Sequence, residues 1–360
     1  MKNVCIVLRN KKNTVLEPDF APIADLFLSK GYFFDEVLLL SYSEVGLLHS
    51  RVRSCMKECD LLCLISDRVL CEGVKNSLSQ SLQISFDRDG IADGGHALIC
   101  ALTADGDGRD IAEKRAVPMM DERMHNRYDR MVVRMVGAPY GTVEKTLDKV
   151  YAVSGDAMSY NYVEKYGDSR LEVIYDSVTP KMLADRVMRV ILQDLQEYVY
   201  ALDDITLEER IYDALRLRKH RLAVAESFTG GRIAARMVRV PGVSSVFVEG
   251  LTVYSNEAKT LRLGVTKDLL QRKGAVSAQT AHDMAEGLFE TDGCDVCVAT
   301  TGIAGPGSDG TKKPVGLCYI AAGISGKIFV NEYRFSGDRE CITQTAVNQA
   351  LFSVFRLLQD

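Results

Sequence analysis

The sequence predicts an α/β multidomain protein, and three observations carry that reading. Short apolar runs alternate with helix-period stretches through the first hundred residues, which is the pattern of a parallel sheet with crossover helices. The stretch 129–202 changes rhythm and reads as a small α+β module. A second strand–helix alternation then starts at Asp203 and continues to the end of the chain. The predicted domains are therefore 1–118, 129–202 and 203–360.

Taken in order, the apolar run 4–8 (VCIVL) is a strand, followed by a helix from Phe20 to Lys30 closed by Gly31. A second strand at 36–40, a helix near 44–57 and a third strand over Asp60–Ser66 (DLLCLIS) follow, then an apolar strand HALICAL between turn-forming ends. Residues 111–128 are charged, Met-rich and without clear periodicity, so a domain boundary is placed there. DRMVVRMVG alternates as a strand, TVEKTLDKVYAV is helix-like and SRLEVIYDS is a strand. The stretch TPKMLADRVMRVILQDLQEYVY is a strong amphipathic helix with Pro180 early. Thr206-Leu-Glu-Glu209 is a capping box that fixes a helix start. The strand RLAVAE, a glycine turn, the helix GRIAARMVRV and the strand FVEGLTVYS come next. After them lie a helix capped by Ser277, the strand CDVCVATTG, an antiparallel pair (VGLCYIAAG and KIFVNEYRF) and a closing helix.

Composition excludes several classes. The chain has 360 residues, 47% hydrophobic and 26% charged, with a mean hydropathy of −0.03, as in ordinary globular proteins. No run approaches eighteen apolar residues, so no membrane helix is expected, and the amino-terminal apolar core is too short for a signal peptide. A net charge of −5 argues against a nucleic-acid partner. Ten cysteines without an export signal point to reduced thiols and a cytoplasmic setting. Cys55, Cys59 and Cys63 recur every fourth residue, but a strand interrupts the face they would share. Cys294 and Cys297, read as one strand, point to opposite faces. His49, His96, His125, His220 and His282 stand in no metal-binding pattern, so neither metal nor cofactor is expected.

Four loops in the last third carry residues that packing alone does not call for. Ala225–Gly231 (AESFTGG) is a strand-to-helix turn whose two glycines expose backbone N–H groups, with Ser227 presented beside them. Its plainer reading is a cap with a turn. Tyr254–Lys259 (YSNEAK) places a lysine on the first turns of a helix, where it can act as a base or stand solvated. Thr300–Gly307 (TTGIAGPG) is a glycine-rich loop at a strand's carboxyl end, either a ligand loop or a long hairpin. Ser336–Arg339 (SGDR) sets an arginine at a helix start, to meet an anion or simply to face solvent. A serine, a basic nitrogen, oxyanion donors and an arginine suit acyl transfer or amide hydrolysis.

The segments AESFTGGRIAARMVRVPGVSSVFVEGLTVYSNEAKTLRLGV, GAVSAQTAHDMAEG, TTGIAGPGSDGTKKPVG and SGDR closely resemble the C-terminal domain of the competence/damage-inducible CinA family, over about 205–360. The resemblance implies an amidohydrolase that converts nicotinamide mononucleotide to nicotinate mononucleotide and ammonia, in pyridine nucleotide salvage, as a homodimer. It makes Ser227 the nucleophile and Lys259 its base. Tyr254 would assist proton transfer or orient the serine, and Arg339 would hold an anionic part of the substrate or stabilise the developing charge. Thr229, Gly230, Gly231, Asn256, Thr301, Gly302, Ala304 and Gly305 would bind the nucleotide. Ser244 matches a second serine of the family and is the reserve nucleophile. Phe228 stands where the family has a smaller residue, and a bulkier ring there would narrow the pocket.

The segment 131–200 resembles the KH-like middle module of full-length members. The first third resembles the family's molybdopterin-binding-like domain only in outline. LRNKKNTVLEP replaces the family's GxELLxG motif and ISDRVLCEGVKN its TGGLGPTxDD loop, so the domain reads as degenerate. Two alternatives stand beside the deamidase. One is a non-enzymatic scaffold or regulatory protein; the other is an ADP-ribose-type pyrophosphatase using Asp105, Asp107 and Asp110.

Overall fold

The computed structural model describes residues 2–9, 19–123, 128–291, 293–307 and 312–359. Most of the segment LRNKKNTVLEP, His125 and residues 308–311 of the third resembling segment lie outside the described residues. The chain divides into two compact units, Met1–Arg130 with Ile174–Pro180, and Met131–Val173 with Lys181–Asp360.

In the first unit β1 (Asn3–Arg9), α1 (Ala21–Ser29), β2 (Glu36–Ser41), α2 (Val45–Glu58), β3 (Leu61–Ser66) and α3 (Arg68–Leu82) are followed by β4 (Ile91–Gly94) and β5 (Ala97–Thr103). The sheet order is β2-β1-β3-β5-β4, parallel except for β4. The central strand β3 is buried on both faces. Leu62 and Leu64 pack with Val52 and Val74, whereas Leu61, Cys63 and Ile65 pack with Ile23 and Phe27. That is why its sequence is a continuous apolar run.

The segment set against the family's loop after this strand leads into the helix α3. Asp67 caps it by accepting from Leu70 N (2.9 Å), and Leu70, Val74 and Leu78 form its buried stripe. Its many serines and its glycine masked that stripe. Residues 111–123, in which no periodicity was read, are helical. α4 (Gly106–Ile111), a π-helical stretch (Ala112–Ala116) and α5 (Val117–Arg123) run on from one another, and the π stretch shifts the helical phase, which erases a constant 3.6-residue period.

A four-stranded sheet of order β7-β8-β6-β9 comprises β6 (Tyr128–Val136), β7 (Met158–Lys165), β8 (Asp168–Asp176) and β9 (Val199–Ala201). It carries α6 (Tyr140–Ser154) and α7 (Lys181–Leu195), and the stripe Ala184, Val187, Ile191 and Leu195 of α7 is buried. The helix predicted through Tyr200 ends at Leu195, and its last residues form β9.

The remaining chain holds α8 (Leu207–Arg218), β10 (Leu222–Glu226), α9 (Arg232–Met237), β11 (Phe247–Thr252), α10 (Asn256–Leu263) and α11 (Lys267–Lys273). Then come α12 (Ala278–Glu290), β12 (Val296–Gly302), β13 (Leu317–Ile324), β14 (Lys327–Arg334) and α13 (Arg339–Leu357). The capping box of α8 forms: Thr206 N donates to Glu209 Oε2 (2.8 Å), and Thr206 Oγ1 accepts from Glu209 N. The sheet order is β11-β10-β12-β13-β14. β10, β11 and β12 are parallel, β13 is antiparallel to β12, and β14 turns back antiparallel to β13. β14 therefore points the same way as β10, β11 and β12. Val224 and Val298 pack with Ile211 and Val347 on one face, and Ala225 and Ala299 with Met284 and Leu288 on the other.

All ten cysteines are free. Cys294 and Cys297 do not point apart as expected, because the strand begins only at Val296. Both thiols donate to carbonyls of α12, at Leu288 (3.5 Å) and Ala285 (3.6 Å). Among the described residues no helix is long and apolar enough to cross a membrane.

Candidate active site

Strand direction brings the four loops together. β10, β11, β12 and β14 end at one edge of the sheet, and Ser227, Tyr254–Lys259, Gly302–Gly305 and Arg339 each follow one of those ends. Glu226 pairs in register with Thr252 on one side and Thr300 on the other, which sets the serine just beyond the sheet between two neighbouring loops.

The turn after β10 is built by Glu226, a residue the sequence reading passed over. Its buried carboxylate accepts from Gly231 N (3.1 Å), Ile233 N (3.1 Å) and Ala234 N (2.9 Å), so it holds the first N–H groups of α9. These amides were expected to be open to a substrate anion, and they are already taken. The signal was a carboxylate five residues before the last glycine of a helix-starting turn. Gly230 (φ +61°) and Gly231 (φ +91°) adopt left-handed backbone that lets the chain fold back on the carboxylate. The turn is fixed further by Ser227 N donating to Thr300 O (3.1 Å), Gly230 N donating to Ser227 O (3.1 Å), and the hydroxyls of Thr229 and Thr300 in contact at 2.8 Å. Among the described residues the N–H groups of Phe228 and Thr229 make no hydrogen bond, so these are the amides left beside the serine.

Lys259 is 1% exposed, and its Nζ donates to Ser227 Oγ (3.0 Å), Val253 O (2.9 Å) and Tyr254 O (3.3 Å). Ser255 caps α10 by accepting from Ala258 N (3.1 Å), which places Lys259 one turn in, aimed back at the strand end. Burial disfavours the ammonium and lowers its pKa to about 8. As an ammonium the group donates to all three oxygens; once neutral it can keep its two N–H bonds to the carbonyls and turn its lone pair to Ser227 Oγ.

Other expected residues take different parts. Arg339 Nη1 donates to Gly305 O (2.6 Å) and Nη2 to the Tyr254 hydroxyl (3.2 Å). The Tyr254 phenol therefore meets the arginine rather than the serine, and it is Tyr254's carbonyl that touches Lys259. Asp338 caps α13 by accepting from Cys341 N (2.8 Å), which sets Arg339 at the helix start. Thr301 is buried and donates to Ala275 O (2.7 Å), tying β12 to the segment before α12. Asn256 stands exposed at the first position of α10.

Phe228 does not narrow the pocket. Its ring is buried with Ala304, Cys318, Ile342 and Ala346, and Gly302 makes room for it: a Cβ there would lie 2.9 Å from the ring. Ser244 is not brought to the cluster. It is exposed on a 3-10 turn (Val243–Ser245) before β11, at the amino ends of the strands. Leu222 pairs with Phe247 there. The sheet between Ser244 and Ser227 is about 15 Å deep at the usual strand rise.

The carboxylates proposed for a pyrophosphatase are each engaged. Asp105 accepts from Gly108 N (3.1 Å) and from Arg68 (3.2 Å), Asp107 pairs with Arg68, and Lys114 lies 2.6 Å from Asp110. Among the described residues, ligand-type atoms of His282, Asp283 and Glu286 on α12 lie within 4.8 Å of one another, partly in solvent.

Comparison with known proteins gives the family. Residues 204–358 match the family model of the CinA C-terminal domain. A protein of Clostridium botulinum (strain Langeland) named as competence-damage inducible is 34% identical over 242 residues, covering 66% of this chain and 59% of that protein. One of Clostridium novyi, named likewise, is 37% identical over 243 residues, covering 66% and 58%. The chain thus spans less than two thirds of the length of the curated relatives it matches. A crystal structure of a CinA superfamily protein from Klebsiella pneumoniae is 32% identical, covers 42% of this chain and 96% of its own, and superposes with a TM-score of 0.42. Since the matched residues include all four loops that meet at the strand ends, the chain belongs to the CinA family.

Proposed function

We propose that the C-terminal domain is a metal-independent amidohydrolase that converts nicotinamide mononucleotide to nicotinate mononucleotide and ammonia. The observation that carries this is Lys259 Nζ, buried, depressed in pKa and 3.0 Å from Ser227 Oγ. A serine is a weak nucleophile until a base takes its proton, and a lysine serves only when its amine is neutral at working pH. Burial supplies that without a carboxylate or imidazole.

In the reaction Lys259 Nζ accepts the Ser227 hydroxyl proton while Oγ attacks the carboxamide carbon. The oxygen that becomes negative is stabilised by the N–H groups of Phe228 and Thr229. Collapse breaks the C–N bond, and Lys259 returns the proton to the departing ammonia. Water, activated by the same amine, then hydrolyses the ester and restores the serine. Arg339, anchored by Gly305 O and facing the Tyr254 hydroxyl, supplies the positive charge for the mononucleotide's phosphate.

The test is ammonia release from nicotinamide mononucleotide in EDTA by the intact chain. The expected outcome is turnover by the wild type, lost at least a thousandfold in both Ser227→Ala and Lys259→Ala. Undiminished turnover by Ser227→Ala would remove the proposed nucleophile.

A further inference from the structure

The second unit holds a polar cleft of about 520 Å³ that the reaction above does not use. One wall is the outer side of α9. Ile233 and Met237 are fully buried in the core, whereas Arg232 and Arg236 of α9 and Arg239 of the turn that follows it line the cleft. The opposite wall is the β7–β8 turn, with Lys165, Tyr166 and Asp168.

The walls are joined by a polar side chain. Asn348 of α13, 5% exposed, donates from Nδ2 to Tyr166 O (2.8 Å) and accepts from Arg236 through Oδ1. The cleft is thus a fixed feature of the fold. Tyr166 adds a second sign of purpose. It adopts φ +57° and is followed by Gly167 at φ +77°, a turn in which asparagine or glycine is favoured and a tyrosine costs about 1 kcal/mol or more. A ring held there against its backbone preference, with Lys165 Nζ 5.4 Å from its centroid, lies at the cleft.

The charges are unevenly matched. Arg134 lies 3.3 Å from Asp168, Arg170 3.5 Å from Asp204 and Arg232 3.0 Å from Glu340, and Arg236 pairs with Glu208. Among the described residues neither Lys165 nor Arg239 has a carboxylate partner. Two uncompensated cations thus stand on opposite walls of a cleft large enough for a small ligand.

We propose that this cleft binds a small molecule bearing a diphosphate group, with Arg239 and Lys165 neutralising its charge from either side and the Tyr166 ring flanking it. Arginine meets phosphate oxygens in a bidentate fork and lysine as a point charge, so the pair suits two linked phosphates better than one carboxylate. The proposal is independent of the amidohydrolase reading, because it concerns binding alone.

The test is calorimetric titration of the intact chain with inorganic pyrophosphate and with ADP at physiological salt. Saturable binding of both is expected, weakened at least tenfold in the double variant Arg239→Glu/Lys165→Glu. Neither substitution breaks an ion pair seen in the structure. Lys327→Glu, an exposed charge on β14, should leave the affinity unchanged. No saturable binding, or an affinity indifferent to the double variant, would overturn the proposal. So would loss of binding in Arg339→Ala with none in the double variant, since the ligand would then belong to the Ser227 cluster.

Discussion

At the residue scale the site turns on where Lys259 keeps its proton. Its pKa is about 8 in the fold, against about 10.5 in an unfolded chain. Between those values the unfolded chain holds a proton the folded one has released, so raising the pH pulls the equilibrium toward the fold. The wild type should therefore gain stability relative to Lys259→Met as pH rises from about 8 to about 10.5, read from urea unfolding at several pH values. A constant difference would mean that the lysine is not desolvated. Ser227, Lys259 and Arg339 were legible in the sequence because their residue types stand at strand ends. What the lysine donates to was not legible, since Val253 and Tyr254 contribute only carbonyls, which every residue has. Tyr254 shows the opposite limit: its side chain suggested a proton relay, but its hydroxyl meets Arg339 while its backbone serves the base.

At the scale of elements, the turn from β10 into α9 is the part whose failure would matter most. Glu226→Gln replaces a carboxylate that accepts three N–H bonds with an amide that carries donors of its own. The expected loss is about 1–3 kcal/mol of stability, with a fall in kcat larger than any rise in KM, because the serine rather than the binding surface shifts. Unfolding curves and steady-state rates check both. The floor of the site depends on a size match between Gly302 and Phe228. Gly302→Ala puts a Cβ 2.5 Å from Cys318 Cβ and 2.9 Å from the ring, so it should destabilise by about 1–3 kcal/mol, and Phe228→Leu in the same chain should restore part of that. Strands with continuous apolar runs were readable, whereas β7, whose alternation rests on Met158, Tyr160 and Tyr162 among polar residues, was passed over. α3 was not readable, because its stripe is diluted by serine, and the 106–123 segment was not, because a π-helical stretch breaks the period on which such reading depends.

At the scale of the molecule, one chain carries a first unit whose Asp105, Asp107 and Asp110 are paired with its own cations and a second unit that presents the Ser–Lys pair. The exposed pairs of Arg68 with Asp105 and Asp107 contribute little to stability, but they occupy the oxygens a metal would need. Added magnesium or manganese should therefore produce no ADP-ribose hydrolysis, measured as AMP release. That the four loops converge could not be read from spacing, since it follows from β14 reversing twice to run parallel with β10, β11 and β12. The most direct test of the account is the pH dependence of kcat/KM for nicotinamide mononucleotide in EDTA. A base that must be neutral predicts a rate that climbs roughly tenfold per pH unit and levels off near pH 8, the pKa of the buried Lys259. A rate that stays flat from about pH 6 to about pH 9 would contradict it, because Lys259 could not then be the group that takes the serine's proton.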